Sequence, residues 1–259
     1  MTLAVPSATP RRVANDRAPD DRLPGEGQLS SGGSRSDAGA ERWSQLHGLV
    51  MLGGTGVALV AGLPMVPISL GVLSLSVLIV WSRGAWTPSG RFGLANTITA
   101  LRLLMTLALV WHPEQRPGLV LALTALCILA LDLADGWLAR RFQSGGTFGA
   151  RFDMEVDAVF VLALSCALWS RGVGGAWVLL AGLWRYLFVV IPMAVPSRGG
   201  EAPRSLIYRS AYAVMVSSFL IALLVQASIS RPLALFGTVV ISASFLRSFW
   251  YRYSPPSTA

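Results

Sequence analysis

Residues 131–160 of the chain read LDLADGWLARRFQSGGTFGARFDMEVDAVF, and this stretch holds four aspartates: Asp132, Asp135, Asp153 and Asp157. All four lie in or beside apolar segments, where a carboxylate without a partner is costly. Such acids need cations, and a set of carboxylate oxygens suits hard divalent ions such as Mg²⁺, Mn²⁺ or Ca²⁺. The stretch therefore predicts a metal site within an apolar protein.

Helical spacing would bring the two aspartate pairs together. Asp132 and Asp135 are three residues apart, and Asp153 and Asp157 are four apart, so each pair lies on one face of a helix. The connection between the pairs is rich in glycine and can turn back sharply. We therefore expect two helices whose carboxylate faces meet. The first face also carries Gly136, Ala139 and Arg140.

The composition is that of a membrane protein rather than a soluble globule. Of the 259 residues 53% are hydrophobic, and the mean hydropathy is +0.57. The net charge is +8, and every cation is arginine. These arginines lie between apolar runs rather than in one patch, so anionic lipid headgroups and phosphorylated substrates are expected as partners, and nucleic acid is not.

Eight apolar runs follow a polar amino-terminal segment. Residues 1–42 are rich in Ser, Gly, Pro, Asp and Arg and are predicted to form a disordered cytoplasmic tail. The apolar runs are predicted to be helices, because a backbone that crosses a membrane has to satisfy its own polar groups. They cover residues 45–63, 66–82, 96–112, 117–139, 153–170, 173–195, 206–228 and 232–250.

Arginine is concentrated in alternate connections between these runs. Connections that hold Arg83 and Arg91, or Arg140 and Arg141, alternate with connections that hold at most one arginine. By the positive-inside rule this pattern predicts eight spans in the cell inner membrane, with both termini and the aspartate cluster on the cytoplasmic side. The first two runs are short; if they do not span, six spans remain and the cluster stays on the same side.

The pattern Asp132-x2-Asp135-Gly136-x2-Ala139-Arg140-x8-Gly149-x3-Asp153-x3-Asp157 resembles the full signature of the CDP-alcohol phosphotransferase (CDP-alcohol phosphatidyltransferase) family. The resemblance covers residues 91–250. It implies an all-α integral membrane protein with a six-helix core bundle, to which this chain adds an amino-terminal helical hairpin. The expected domains are the tail at 1–42, the transmembrane hairpin at 43–90 and the transferase-like domain at 91–253. The resemblance also implies a homodimer.

The resemblance implies a reaction and a set of site residues. An alcohol hydroxyl attacks the β-phosphorus of a CDP-linked substrate, and CMP leaves. Two ions of Mg²⁺ or Mn²⁺ are expected, and two such ions can clamp the attacking and leaving oxygens of a phosphoryl displacement. Asp157 is also implied as the candidate general base. The implied metal ligands are Asp132, Asp135, Asp153 and Asp157, and the expected nucleotide-binding residues are Asn96, Thr99, Gly136, Ala139, Arg140 and Gly149.

A second motif lies upstream of the signature. Asn96-x2-Thr99-x2-Arg102 resembles a segment that opens the first core helix in many family members and lines their nucleotide pocket. Asn96 could equally be a helix N-cap. Arg102 lies one turn inside an apolar run and is predicted to face the acids or a phosphate. The alternative is that Arg102 extends to the lipid headgroups.

Four arginines are candidates for binding the phosphate of an acceptor: Arg102, Arg185, Arg204 and Arg209. Arg185 lies inside an apolar run, where an arginine usually pairs or binds something. Arg204 and Arg209 could instead only fix the topology. Glu155 faces away from the aspartates and is expected to be solvated or paired with an arginine rather than catalytic.

The predicted function is transfer of a phosphatidyl-type group from CDP-diacylglycerol to an alcohol in phospholipid biosynthesis. Glycerol 3-phosphate is the first candidate acceptor, and inositol phosphate and serine follow. Residues 200–205 read GEAPRS, where family members that make phosphatidylglycerophosphate often carry Gly-Lys-x-Lys-Thr. A CDP-amino-alcohol donor with diacylglycerol as acceptor is a further alternative.

Two alternatives come from other functional classes. An ion or proton transporter would use intramembrane acids as a relay at successive depths. Asp132 lies fifteen residues after Pro117 and Asp157 lies fourteen before Arg171, so both are at a similar depth of roughly 21–23 Å from the outer side. A shared depth favours a site over a relay. An inactive scaffold is the second alternative, and the intact set of four aspartates argues against it.

Overall fold

The structure, a computed structural model, describes residues 26–87, 89–141, 146–195 and 206–254. These residues form helices and connections and contain no strand, which confirms the all-helical prediction. The α-helices are α1 (Glu26–Ala61), α2 (Met65–Trp81), α3 (Leu94–Val110), α4 (Gly118–Arg141), α5 (Thr147–Ser170), α6 (Leu180–Ala194), α7 (Leu206–Leu224) and α8 (Ala227–Tyr253), with 3₁₀ turns at Pro113–Gln115 and Ala176–Leu179.

The first helix begins earlier than the sequence predicts. α1 starts at Glu26, so residues 26–42 are helical where a disordered tail was expected. The physical reason is cooperativity: the apolar residues from Trp43 onward supply a packed helical nucleus, and each added residue then gains one backbone hydrogen bond. The part of the predicted tail at 1–25 lies outside the described residues. Residues from Glu41 onward form one compact unit, which contains all the contacts below.

Among the described residues, four helical segments are long and apolar enough to cross a membrane. Three further apolar helices, Met65–Trp81, Leu94–Val110 and Tyr208–Leu224, are shorter than the roughly 20 residues that a full span needs. The protein is thus suited to a membrane, while the count of eight spans stays a prediction. The four long segments are Gly39–Ala61, Gly118–Gly136, Ala176–Ala194 and Ala227–Tyr253.

α5 is the central helix of the compact unit. From Val156 to Leu168 its side chains are almost all buried, apart from Asp157. It packs against α2, α3, α6 and α7, and a helix that is apolar on all sides is suited to such a place. α3 and α4 pack side by side, and so do α7 and α8. The acidic first half of α5 is therefore held against α3, which also packs on α4.

The end of α5 away from the aspartates is tied to the connection before α4. Arg171 Nη1 donates hydrogen bonds to the carbonyl oxygens of Pro113, at 2.9 Å, and Arg116, at 2.5 Å. The Ser170 hydroxyl donates to the Glu114 carboxylate at 3.1 Å. These contacts fix the axial position of α5 relative to α3 and α4, and hence the level of its two aspartates.

Candidate active site

One arginine lies at the centre of all four aspartates. Arg102, on α3, is only 1% exposed. Its Nη1 contacts Asp135 at 2.9 Å and Asp153 at 2.7 Å. Its Nη2 contacts Asp132 at 2.7 Å and Asp157 at 2.5 Å. Each of the two terminal guanidinium nitrogens thus joins one aspartate of α4 to one of α5, and the carboxylates of the two helices meet at Arg102.

The position of Arg102 decides between the two alternatives for this side chain. Extension to the headgroups is wrong, because a buried guanidinium with four carboxylate contacts has no solvated part. The pairing has a clear electrostatic cause: a charge removed from water needs opposite charges and hydrogen bonds nearby. The structure therefore places Arg102 with the acids, as the sequence predicts.

The cluster has a closed and an open side. Asp135 is buried, and its Oδ2 also accepts a hydrogen bond from the Thr99 hydroxyl at 2.9 Å. The side chains of Asp132, Asp153 and Asp157 are 31%, 42% and 34% exposed. Asp135 and Thr99 thus form the floor of the cluster, and the other three carboxylates are open to a ligand.

Asn96 connects the start of α3 to the start of α5. The alternative N-cap role of Asn96 is wrong: Gly93 is the residue that precedes α3, and Asn96 lies inside the first turn. Its side-chain amide donates to the Phe92 carbonyl at 2.7 Å. A Cβ atom at position 149 would lie 3.0 Å from Asn96 Oδ1. Glycine at 149 therefore allows α5 to approach Asn96 closely, and two predicted nucleotide-binding residues are neighbours.

The other predicted nucleotide-binding residues lie on α3 and α4. Thr99 is buried beside Asp135, and Gly136 follows Asp135 on α4 at a half-buried position. Ala139 and Arg140 belong to the last turns of α4, but their side chains lie outside the described part of the structure.

The aspartates fit a divalent metal. Asp132, Asp135 and Asp153 each offer an oxygen, and these oxygens all lie within 4.8 Å of one another. The guanidinium of Arg102 shows that positive charge is accommodated between them. One guanidinium leaves three of four carboxylate charges unbalanced when all are ionised, and an oxygen-only donor set is the one that Mg²⁺ and Mn²⁺ prefer. Asp157 lies outside this group of three but contacts the same guanidinium.

A cavity of about 260 Å³ adjoins the cluster on the side away from α3 and α4. Its polar lining consists of Asp153, Asp157, Arg185 and Tyr212. The rest of the wall is mostly apolar and comes from α5, α6, α7 and α8. A molecule in this cavity would contact Asp153 and Asp157, whereas neither Asn96 nor Thr99 lines it.

A sequence model of the CDP-alcohol phosphatidyltransferase family matches residues 92–249, which is more than half of the chain. The chain belongs to the CDP-alcohol phosphatidyltransferase family. It is thereby a transferase of phosphate-containing groups from a CDP-alcohol to an acceptor. No curated protein and no solved structure matches it.

The matched residues begin in the connection before α3, so α1 and α2 lie outside the part that the family defines. Helices α3 to α8, which form the family-matched part, contain the signature, the acid cluster and the cavity. The two amino-terminal helices are an addition of this chain to that part.

The three described arginines among the four predicted for acceptor phosphate have different surroundings. Arg102 contacts the aspartates, Arg185 lines the cavity, and Arg209 is exposed on α7. Arg204 lies outside the described residues. Glu155 accepts a hydrogen bond from Arg185 Nη2 at 2.6 Å, so its predicted pairing with an arginine is confirmed.

Sequence reasoning missed Tyr212 as a residue of this site. Tyr212 lies on α7 and lines the cavity with Asp157. No motif marks it, because its place depends on how α7 packs against α5. The sequence signal for Tyr212 is weak: it is a side chain with a polar tip inside an apolar run, at about the same depth as the aspartates.

Proposed function

We propose that this transferase moves a phosphatidyl group from CDP-diacylglycerol to an alcohol in phospholipid biosynthesis, with release of CMP and with Mg²⁺ or Mn²⁺ as cofactor. Glycerol 3-phosphate is the first candidate acceptor, and inositol phosphate and serine are the next. The observation that carries the proposal is the meeting of four aspartates from α4 and α5 around one buried cation, beside a cavity that Asp157 lines.

Asp132, Asp135 and Asp153 are the residues that would hold the metal, with Asp157 next to them. Bound Mg²⁺ or Mn²⁺ supplies Lewis-acid stabilisation of the charge on phosphate oxygens. Arg102 holds the four carboxylates in position while substrates bind and leave, because each of its two terminal nitrogens contacts one aspartate from α4 and one from α5.

Asp157 is the proposed general base. It lines the cavity and is open on that side, so a hydroxyl there can come within hydrogen-bond reach of its carboxylate. The hydroxyl oxygen forms the new bond to the β-phosphorus of the CDP-linked donor, and its proton passes to Asp157. The bond from that phosphorus to the bridging oxygen breaks, and the electron pair leaves with CMP. The apolar walls of the cavity keep out water that would compete as acceptor.

The nucleotide is assigned to the α3 and α4 side of the acids. Asn96, Thr99 and Gly149 lie there around the start of α5, and glycine at position 149 allows α5 to approach Asn96 closely. Arg185, in the cavity wall, is the described arginine best placed for the phosphate of an acceptor. The arginine-rich connections support an active site that faces the cytoplasm.

The test is CMP release by the purified protein in detergent, with CDP-diacylglycerol, Mg²⁺ or Mn²⁺, and each candidate alcohol added singly. Release with one alcohol and not with the others is expected, together with loss of release on chelation of the metal. The matched control is Asp153→Asn, which removes one ligand charge and keeps the side-chain size. Metal-independent release, or no release from any CDP-linked donor, would contradict the proposal.

A further inference from the structure

A second cluster of buried polar side chains lies on the opposite face of α5 from Asp153 and Asp157. Glu155 is 1% exposed and pairs with Arg185 of α6. Next to Arg185 in the chain, Tyr186 is also 1% exposed, and its hydroxyl has no hydrogen-bond partner among the described residues. His47 of α1 packs edge-on against the ring of Tyr186, with 5.7 Å between ring centroids. The cluster therefore joins α5, α6 and the amino-terminal helix.

The side chain of Arg185 is fixed by one hydrogen bond and has further N–H donors. The bond to Glu155 is the only hydrogen bond that its side chain makes within the described part of the chain, and its Nε is buried without a partner. A guanidinium carries five N–H donors in a fixed planar fork. Its side chain is 21% exposed and lines the cavity that Asp153 and Asp157 also line. Fixing one nitrogen on Glu155 thus orients the remaining donors of the fork.

α1 supports this arrangement from behind. His47 Nδ1 lies 2.9 Å from the hydroxyl oxygen of Ser74 on α2, and its ring stacks on Trp43 at 4.9 Å. At Gly48 the two backbones come close, because a Cβ atom there would lie 2.9 Å from Val190 Cγ2 and 3.6 Å from the Tyr186 carbonyl oxygen. α1 therefore packs directly on the turn of α6 that carries Arg185.

We propose that Glu155 is a positioning residue that, with α1 packed behind α6, fixes Arg185 so that its free donors bind a phosphate oxygen of a substrate in the cavity. This rests on the proposed function. It makes the amino-terminal helices, which lie outside the family-matched residues, a working part of the substrate site. Two substrates carry phosphate: the acceptor, where it is a phosphorylated alcohol, and the CDP-linked donor.

The cavity favours the acceptor as the source of this phosphate. Arg185 and Asp157 share the cavity, while the nucleotide side of the acids is formed by α3 and α4. A hydroxyl at Asp157 and a phosphate at Arg185 would then belong to one acceptor molecule. The Michaelis constants of the two substrates, measured separately, distinguish the two sources.

The first experiment compares Glu155→Gln with wild type, using the acceptor that supports CMP release. The amide keeps the size of the side chain but weakens the charge-assisted bond that orients Arg185. We expect KM for one phosphate-bearing substrate to rise about tenfold, which corresponds to about 1.4 kcal/mol, with kcat changed little. A rise for the acceptor assigns the phosphate to it, and a rise for the donor assigns it to the diphosphate. Glu114→Gln is the matched control, because Glu114 lies at the other end of α5.

The second experiment tests the part of α1. Gly48→Ile places a side chain in the contact with α6, whereas Gly53 on the same helix is exposed and a Cβ atom there meets no atom within 4 Å. Gly48→Ile is expected to raise the same KM, and Gly53→Ile is expected to leave it unchanged. If Glu155→Gln does not fold, the comparison of Gly48→Ile with Gly53→Ile still tests the proposal.

Unchanged KM values for both substrates in Glu155→Gln and Gly48→Ile, or a loss confined to kcat, would overturn the inference. Wild-type turnover would in that case still uphold the proposed function. Absence of wild-type turnover would remove both.

Discussion

Arg102 is the side chain on which the acid cluster depends, since it is the shared partner of all four aspartates. Replacing it by glutamine would leave these carboxylates to repel one another. Removing one partner of a buried ion pair costs about 3–5 kcal/mol, and we expect the lower end because three of the four acids are partly exposed. Arg102→Gln should therefore lower the midpoint of thermal unfolding in detergent.

Added Mn²⁺ should raise that midpoint more in Arg102→Gln than in wild type, because a cation bound only to the folded state stabilises it by mass action. Arg83→Gln is the control, since Arg83 is exposed. A midpoint for Arg102→Gln equal to that of Arg83→Gln, or no response to the metal, would contradict the assigned role of the cluster.

Replacing the aspartates by asparagine one at a time should distinguish the proposed metal ligands from the proposed general base. Asp132→Asn and Asp153→Asn each remove the charge of a proposed metal ligand and should abolish metal-dependent CMP release. Asp157→Asn should lower kcat by about 10²–10⁴, the usual contribution of a general base, and leave CDP binding intact. Turnover assays and equilibrium binding of CDP check both statements. Full turnover in Asp153→Asn would exclude it as a ligand, and unchanged kcat in Asp157→Asn would exclude it as the base.

The helix face on which a side chain lies could be predicted from the sequence where helical periodicity alone determines it. The faces of Asp132, Asp135, Asp153 and Asp157 follow from spacing, and the pairing of Arg102 follows from the cost of burying a charge. The start of α3 could not be predicted in this way, because it is set by Gly93, with φ +77°, rather than by the polar Asn96. The bond between Glu155 and Arg185 depends on how α5 and α6 pack, which the sequence does not specify.

The crossing of α5 and α6 can be tested by a substitution at the point of contact. α6 crosses α5 at Gly182, where a Cβ atom would lie 2.4 Å from Leu162 Cα and 2.8 Å from its backbone nitrogen. Since the obstruction is backbone, no side-chain rotation can relieve it, and α6 would have to move away. Gly182→Ala should lower stability by about 1–3 kcal/mol or more and reduce turnover, because Gly182 also lines the cavity.

Gly53→Ala is the matched control for this crossing. A methyl group at position 53 of α1 meets no atom within 4 Å, and alanine favours a helix over glycine by about 1 kcal/mol. Thermal unfolding of the two variants should therefore move in opposite directions. Equal midpoints would show that α5 and α6 do not meet as closely as the structure has them.

The existence of each helix was easier to predict than its ends. Every apolar run of the sequence corresponds to a helix, because a backbone in hydrocarbon has few other ways to satisfy its polar groups. The break between the last two helices lies at residues 225–226 rather than at 229–231. Pro232 does not stop α8: it lies inside the helix, in the second turn, and α8 continues past it to Tyr253.

Across the whole molecule, the acids, the cavity and the arginine-rich connections imply one orientation. The connection between α4 and α5 follows Arg140 and Arg141, while the turn at Pro113–Gln115 belongs to an arginine-poor side. Positive residues are retained in the cytoplasm. We therefore expect the acid cluster to open towards the cytoplasm, where CDP-linked substrates and water-soluble alcohols are present.

Cysteine labelling tests this orientation in a background where Cys127 and Cys166, the two native cysteines, are replaced by alanine. Ser144→Cys, in the connection between α4 and α5, should react with a membrane-impermeant maleimide only in inside-out vesicles. Gln115→Cys, at an exposed position near the opposite ends of α4 and α5, should react only in intact cells. The reverse result for both sites would invert the protein in the membrane. Reaction of both from one side would mean that α4 does not span, since α4 alone separates the two labelled positions.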